Sequence, residues 1–254
     1  MGQSRATLLG LAPLAVLLGL WQLATSGGWY TSVLLPAPIE VARVFATQWL
    51  ALLHHVGASL TRVSVGIAIA CATAIPLGLL IGRFKWLDEV TDWTIQIFRS
   101  LPGIALIPLA ILFFGIGDKP AIILITLAAF WPLVVSTIFG VKSVERTLLK
   151  VARVARAGDL LVLRDILLPS ALPSILTGLR LAAGAGWLTV VTAEMMAVKS
   201  GLGYYIMYAQ TTFRAEEIIA GILTIGAIGL LFDQGIRMLR HRICRWQEGL
   251  VLES

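Results

Sequence analysis

Uncharged apolar runs of about 20 residues recur along this chain, and no other feature narrows its fold as much. A bilayer's hydrocarbon core is about 30 Å thick, so a helix rising 1.5 Å per residue crosses it in about 20 residues. Four such runs occupy residues 6–24, 63–82, 100–117 and 120–141, and two more of similar length carry isolated charges: 176–198, with Arg180 and Glu194, and 218–236, with Asp233. Backbone amides have no water to bond inside a membrane, which leaves helices or closed barrels, and runs this long and apolar are helices. Of the 254 residues, 58% are hydrophobic and 13% charged, with a mean hydropathy of +0.89, too apolar for an ordinary soluble domain. The expected fold is all-α: one polytopic transmembrane domain over residues 1–254 with six spans. Residues 6–24 also fit the core of a secretory signal, but their length and the spans that follow favour a first crossing.

A net charge of +6 and a pI near 9.7 raise the question of nucleic acid. The basic residues flank apolar segments, which is the pattern of membrane topology, so no nucleic-acid partner is expected. With the N-terminus in the cytoplasm, fifteen Lys and Arg fall inside: Arg5, Arg83, Lys85, Arg99, seven between Lys142 and Arg180, and four from Arg237 onward. Five fall outside: Arg43, Arg62, Lys119, Lys199 and Arg214. This bias places both termini and the polar stretch 142–173 in the cytoplasm. Residues 39–55 suit an amphipathic helix at the membrane surface, and Asp88, Glu89 and Asp92 read as a solvated connector. Cys71 and Cys244 imply no disulfide framework, and His54, His55 and His241 are too scattered for a metal site.

The cytoplasmic stretch carries the most specific pattern. Residues 150–180 read KVARVARAGDLLVLRDILLPSALPSILTGLR. Leu160, Leu161, Leu163 and Leu167 fall near one helical face, with Arg153, Arg156 and Arg164 giving a basic character. On its own that describes a helix held against anionic lipid or against a partner. The segment resembles the cytoplasmic EAA loop of binding-protein-dependent ABC importer permeases, matching at Ile166, Leu168, Pro169, Ala171, Leu172 and Pro173. The stretches LLPAPIEV (34–41), RSLPGIALIPLAILFFGIGD (99–118) and GLRLAAGAGWLTVVTAEM (178–195) also look like the nitrate, sulfonate, taurine and bicarbonate branch of that family.

The resemblance implies a MetI-like permease subunit in a bacterial inner membrane, translocating a small anion delivered by an external binding protein. It further implies a second permease copy, most simply a homodimer, and two ATPase subunits holding ATP and Mg. This chain itself holds no cofactor: no G-x-x-x-x-G-K-[ST] loop occurs in it. In the family the loop forms a short coupling helix seated on the ATPase, which points to Ala152, Val154, Arg156, Gly158, Leu160, Leu161 and Leu163. The sequence departs from the family pattern where its Glu falls on Lys150 and its glycine on Arg156, with Gly158 two places later.

Within the spans, Glu194 is the acid deepest in an apolar run, and such a group is a functional-site hypothesis by default. Its expected partner is Arg62, near the outer end of another span. Trp187, two turns before Glu194, is a candidate constriction. Ser174, Gly178, Ala182 and Gly186 recur every four residues, giving a small-residue face for close helix packing, as do Gly78 and Gly82. Asp233 and Arg237 are spaced for a local salt bridge. Pro76, Pro102, Pro108 and Pro132 are candidate helix breaks. Two other classes fit less well. An ion-gradient-driven secondary transporter predicts inverted repeats and several intramembrane carboxylates. A membrane enzyme needs a convergent set of acid, base or nucleophile that the sequence does not offer, so a transport subunit is expected.

Overall fold

The computed structural model describes residues 13, 16–25 and 35–244, and every regular element among them is helical. Helix α1 (Val16–Thr25) falls in the expected first span; the rest of that run, Arg5, most of the following loop and Arg245 lie outside the described residues. Helix α2 (Pro38–Thr47) starts on a proline, where a missing amide hydrogen is harmless, and the Ala37 amide donates to the Glu40 carboxylate at 2.8 Å. After Gln48 the chain enters α3 (Trp49–Arg83), 35 residues long. At 1.5 Å per residue α3 spans about 52 Å and projects beyond the hydrocarbon.

Helix α4 (Lys85–Arg99) is followed by a 3₁₀ turn (Gly103–Leu106) and α5 (Ile107–Phe114), with a bend of 82° between the two segments. Pro102 disfavours the helical conformation at Leu101, and Pro108 starts α5. Gly115 (φ 75°) and Gly117 (φ 149°) reverse the chain into α6 (Asp118–Lys142) in conformations open to glycine. Helix α7 (Arg146–Val154) follows, then α8 (Asp159–Leu161), which runs through a π-helical turn (Val162–Leu167) into α9 (Leu168–Ala197). The π turn sits just before Pro169, whose nitrogen has no hydrogen to return to the preceding turn. Helices α10 (Leu202–Thr211) and α11 (Ala215–Ile243) complete the described chain.

Helices α3, α6 and α9 form the central block, and glycines set their spacing. A Cβ on Gly66, Gly78 or Gly82 of α3 would lie 2.6, 2.6 or 2.7 Å from Ile125, Thr137 or Val141 of α6. The constant offset shows that these two helices run side by side in the same direction. Across the antiparallel α6–α9 contact, a Cβ on Gly140 would lie 2.8 Å from Ser174, and one on Gly178 would lie 2.5 Å from Ser136. The small-residue face of α9 thus packs inside the subunit, against α6. Lipid offers apolar side chains no reason to associate, so this close backbone approach is what lets the helices adhere. Ala70, Ala74, Ala129, Leu133, Val134 and Ala182 fill the space between them.

Several expected boundaries change. Residues 49–55 belong to α3 and not to a surface helix, because nothing between Trp49 and Val63 breaks the helix. The expected span 100–117 is not one rod: the crossing is made by α4 and α5 on either side of the break, so Asp88, Glu89 and Asp92 lie on a helix. Four helical rods are long and apolar enough to cross a membrane, and the bent pair makes a fifth. The span expected at 176–198 belongs to a rod covering Asp159–Ala197, whose first residues run past the end of α6 at Lys142, so the polar stretch 142–173 is largely helical. Pro76 and Pro132 sit inside uninterrupted helices.

Arg180 is not near a membrane face. It lies two residues beyond Gly178, which abuts Ser136 in the inner half of α6, and its guanidinium pairs with Asp233 of α11. Asp233 also pairs with Arg237 at 2.8 Å, as expected. Removing Arg180 and Arg99 from the cytoplasmic count leaves the topological bias intact.

Gly178→Ala is expected to lower stability by about 1–3 kcal/mol through overpacking, whereas Gly184→Ala, which would meet nothing within 4 Å, is expected to be near neutral. Thermal melting of the two variants in detergent checks the contrast.

Candidate functional site

The outer ends of α3, α6 and α9 meet at a buried polar node. Glu194 is fully buried (0% exposed) and Arg62 nearly so (5%). Arg62 Nη1 donates to Glu194 Oε1 at 2.7 Å, the pairing expected from the sequence. The other carboxylate oxygen, Oε2, accepts from Ser59 Oγ at 2.8 Å and from the Gly203 amide at 3.0 Å. The Leu202 amide in turn donates to Ser59 Oγ at 2.9 Å. Three further guanidinium hydrogens reach Asp118 Oδ1 (2.7 Å), the Ser200 carbonyl (2.9 Å) and Ser200 Oγ (2.5 Å). No buried side-chain nitrogen or oxygen among the described residues lacks a partner.

Local sequence explains the geometry. Helix α9 ends at Ala197, and Gly201 at φ 104° turns the chain back over Glu194. A Cβ at Gly201 would overlap the Glu194 carboxylate, and one at Gly203 would overlap the Val191 carbonyl, so only glycine fits at either place. His55 Nδ1 accepts from the Gly201 amide at 3.1 Å, and the Gly117 amide donates to the Ala197 carbonyl at 2.8 Å. The node therefore ties α3, the α5–α6 reversal, the end of α9 and the start of α10 together. Beside it, Arg62, Gly117, Asp118, Lys199 and Ser200 line an outer groove of about 460 Å³.

A second polar layer lies nearer the outer surface. Gln48 Nε2 donates to Glu217 at 2.7 Å, and Arg214 donates to the same carboxylate oxygen at 2.9 Å. Tyr205 donates to Gln48 Oε1 at 3.3 Å; burial, with Glu217 nearby, pushes its phenol up to about 12, so it stays a neutral donor.

Trp187 and Gly186 do not join the node. Trp187 Nε1 donates to the Ile225 carbonyl at 3.1 Å and its ring lies 5.6 Å from Phe232, filling the α9–α11 contact. Gly186 faces Ile125 of α6. Sequence reasoning missed Ser59, Asp118, Ser200, Gly201 and Gly203. The available signal was the Gly201-x-Gly203 pair just beyond the only span with a deep acid. Among the described residues no group of His, Cys, Asp or Glu is placed to hold a metal.

At the cytoplasmic end, α7 stops at Val154 and the chain turns over Ala155–Gly158 before resuming at Asp159. The seven residues assigned to a short coupling helix, Ala152 to Leu163, are therefore divided between α7, the turn, α8 and the start of the π turn. Arg156 holds φ 51°, a left-handed conformation that a non-glycine residue adopts at a cost of about 1–2 kcal/mol. This is the position at which the family's glycine falls, and the backbone there holds a conformation that favours glycine. Ala152 is buried, packing with Val162 and Leu167. Val154, Leu160 and Leu161 are 86%, 77% and 52% exposed. Leu163 is half-buried and Leu167 is in the core, because the π turn shifts the face that the four leucines were expected to share.

Gly201→Ala is expected to abolish folding or lower the melting temperature sharply. Glu194→Gln leaves Arg62 buried beside the exposed Asp118 as its one remaining carboxylate, and is expected to cost about 3–5 kcal/mol. Detergent-solution melting reads both.

Residues 74–244 match the model of the "binding-protein-dependent transport system inner membrane component" family. A probable ABC transporter permease protein of Brucella abortus is 39% identical over 242 residues, covering 94% of this chain and 96% of that protein. The taurine transport system permease protein TauC of Escherichia coli is 35% identical, covering 96% of this chain and 91% of its own. In fold, the chain is similar to one in an inward-facing structure of the MetNI methionine ABC transporter, with a TM-score of 0.69 at 19% identity over 76% of this chain and 96% of that one. The match over most of its length, on several helices long and apolar enough to cross a membrane, makes this chain a member of the binding-protein-dependent ABC importer permeases, a multi-pass transport subunit.

Proposed function

We propose that two copies of this chain and two ATPase subunits, which hold ATP and Mg, form an importer in a bacterial inner membrane. The importer takes a small anion, of the sulfonate, taurine, nitrate or bicarbonate kind, from an external binding protein. The observation that carries this reading is the apolar surface exposed at the cytoplasmic end. Val151, Val154, Leu160 and Leu161 are exposed beside a basic turn, beyond the inner ends of α3 and α6. An exposed apolar patch rimmed by charge is the form of a protein-binding surface. Ala152 and Leu163 anchor this patch from beneath, and Arg156 with Gly158 shapes its turn.

Coupling follows from the packing. The patch is continuous with α9 through α8 and the π turn, and α9 is locked to α3 and α6 by close glycine contacts and by the outer node. A displacement of α7 by closing ATPase subunits would therefore move these helices as one body, the rigid-body type of transition. The groove beside Arg62, Asp118 and Lys199 is the outer surface that a binding protein would meet. The anion class is supported by the named substrate of the taurine relative, a zwitterion whose sulfonate end carries the negative charge that a cationic site would read.

The purified chain is expected to hydrolyse no ATP alone and to gain hydrolysis only with its ATPase partner; hydrolysis by the single chain contradicts the reading. In proteoliposomes containing the whole complex, Leu160→Asp with Leu161→Asp, or Arg156→Glu, is expected to cut uptake more than tenfold. Uptake at the unaltered rate in both variants removes the coupling assignment.

A further inference from the structure

Helix α4 has no buried residue, unlike the other helices of 15 or more residues among those described. Two stripes run along it. Trp86, Val90, Trp93 and Ile97 make an exposed apolar stripe, while Asp88, Asp92, Gln96 and Arg99 recur at i, i+4, i+8 and i+11 as a polar one. The polar stripe starts at the cytoplasmic end, where Asp88 pairs with Lys142 at 2.6 Å. It continues through Asp92, which accepts from Gln96 Nε2 at 2.7 Å, and ends at Arg99, the last residue before the 82° break.

The depth of that end can be read from α6. Phe98 stacks on Trp131, with ring centroids 5.7 Å apart and planes inclined by 16°. Trp131 lies about 20 Å along α6 from Asp118 and about 17 Å from Lys142 at 1.5 Å per residue, which is the middle of the membrane. Arg99, adjacent to Phe98, is exposed at that depth, and its side chain has no hydrogen-bond or ion-pair partner among the described residues. The other arginine deep in the domain, Arg180, is neutralised by Asp233. Charged side chains at mid-membrane face a bundle interior or a water-filled cavity, since lipid cannot solvate them. A polar stripe leading to such a charge from the cytoplasm marks the wet side of α4. Past the break, Gly103 offers open space where a side chain would stand.

We propose that the polar stripe of α4 lines the inner half of the translocation path and that Arg99 at its end is the anion-recognition point of the importer. The inference rests on the anion-import reading above and names the residue through which that selectivity acts inside the membrane. A guanidinium offers two parallel N–H donors to a sulfonate, nitrate or bicarbonate, and rings of Arg line anion-selective pores. In a pair of permeases the two Arg99 side chains face one path, so the transported anion meets a concentrated positive field halfway across.

The test uses the complete complex in proteoliposomes, with labelled taurine, methanesulfonate, nitrate and bicarbonate as probes. Arg99→Gln is expected to lower uptake of the transported probe at least tenfold, and Arg99→Lys, which keeps the charge without the fork, to raise KM with a smaller loss. Independently of transport, Arg99→Cys in a Cys71→Ala, Cys244→Ala background is expected to react with a membrane-impermeant thiol reagent, more slowly when the transported probe is present. Unaltered uptake by Arg99→Gln, or an Arg99→Cys variant whose thiol does not react, overturns the assignment of Arg99 and leaves anion import standing. If the unaltered complex carries a neutral solute and none of the four probes, the anion reading falls and this inference with it.

Discussion

One buried ion pair holds the outer half of this protein together. Arg62 and Glu194 stand on helices 132 positions apart in sequence, both are shut away from solvent, and neither keeps a polar atom unpartnered. Taking two charges out of water consumes much of their mutual attraction, so such a pair contributes little net stability relative to apolar side chains of the same size. Its contribution is register. The carboxylate accepts from an amide of the returning chain, the guanidinium reaches two further segments, and sliding α9 by one turn against α3 would strand the Arg62 bonds to Glu194 and Ser200. Axial position is what glycine-based packing specifies least, because glycine faces slide past one another easily.

The node and the glycine contacts therefore do different work on the same three helices. Small residues on α3 and α9 bring backbones within van der Waals contact of α6 along its length. The node fixes where along that length they stop. At the opposite end the constraint relaxes: the α7 turn is carried on few buried side chains, Arg156 is held in a left-handed conformation, and apolar residues stay exposed. A rigid outer end and an incompletely covered inner end describe a subunit that is finished only when something covers the inner one.

Much of this was legible in the sequence, for reasons particular residues make plain. Uncharged runs located the helices of the central block, because length and hydropathy are all that a bilayer reads. Glu194 and Arg62 could be paired because a membrane tolerates so few charges that their partners are limited. The departure at Arg156 was visible as a glycine gone from its expected position, and the backbone there holds a conformation that favours glycine. Other features depended on distant contacts. Ser59, Asp118 and Ser200 carry no local mark of belonging to a node, since each is an ordinary polar residue until α3, α6 and α9 converge. The break between α4 and α5 was hidden because its apolar residues continue smoothly across it, so hydropathy reported a span where the chain turns by 82°. The leucines of 160–167 were misplaced on one face because a π turn alters the helical phase without altering composition.

Seating of the ATPase on the cytoplasmic patch, as proposed above, is open to direct measurement. Val154→Cys, at the most exposed point of α7, can be treated with a short thiol-to-amine crosslinker in membranes containing the complete transporter. The account predicts a covalent product between this chain and the ATPase subunit, with none formed from Lys119→Cys on the outer side. Crosslinking confined to lipid or to other membrane proteins, with the ATPase subunit present and unmodified, would contradict it.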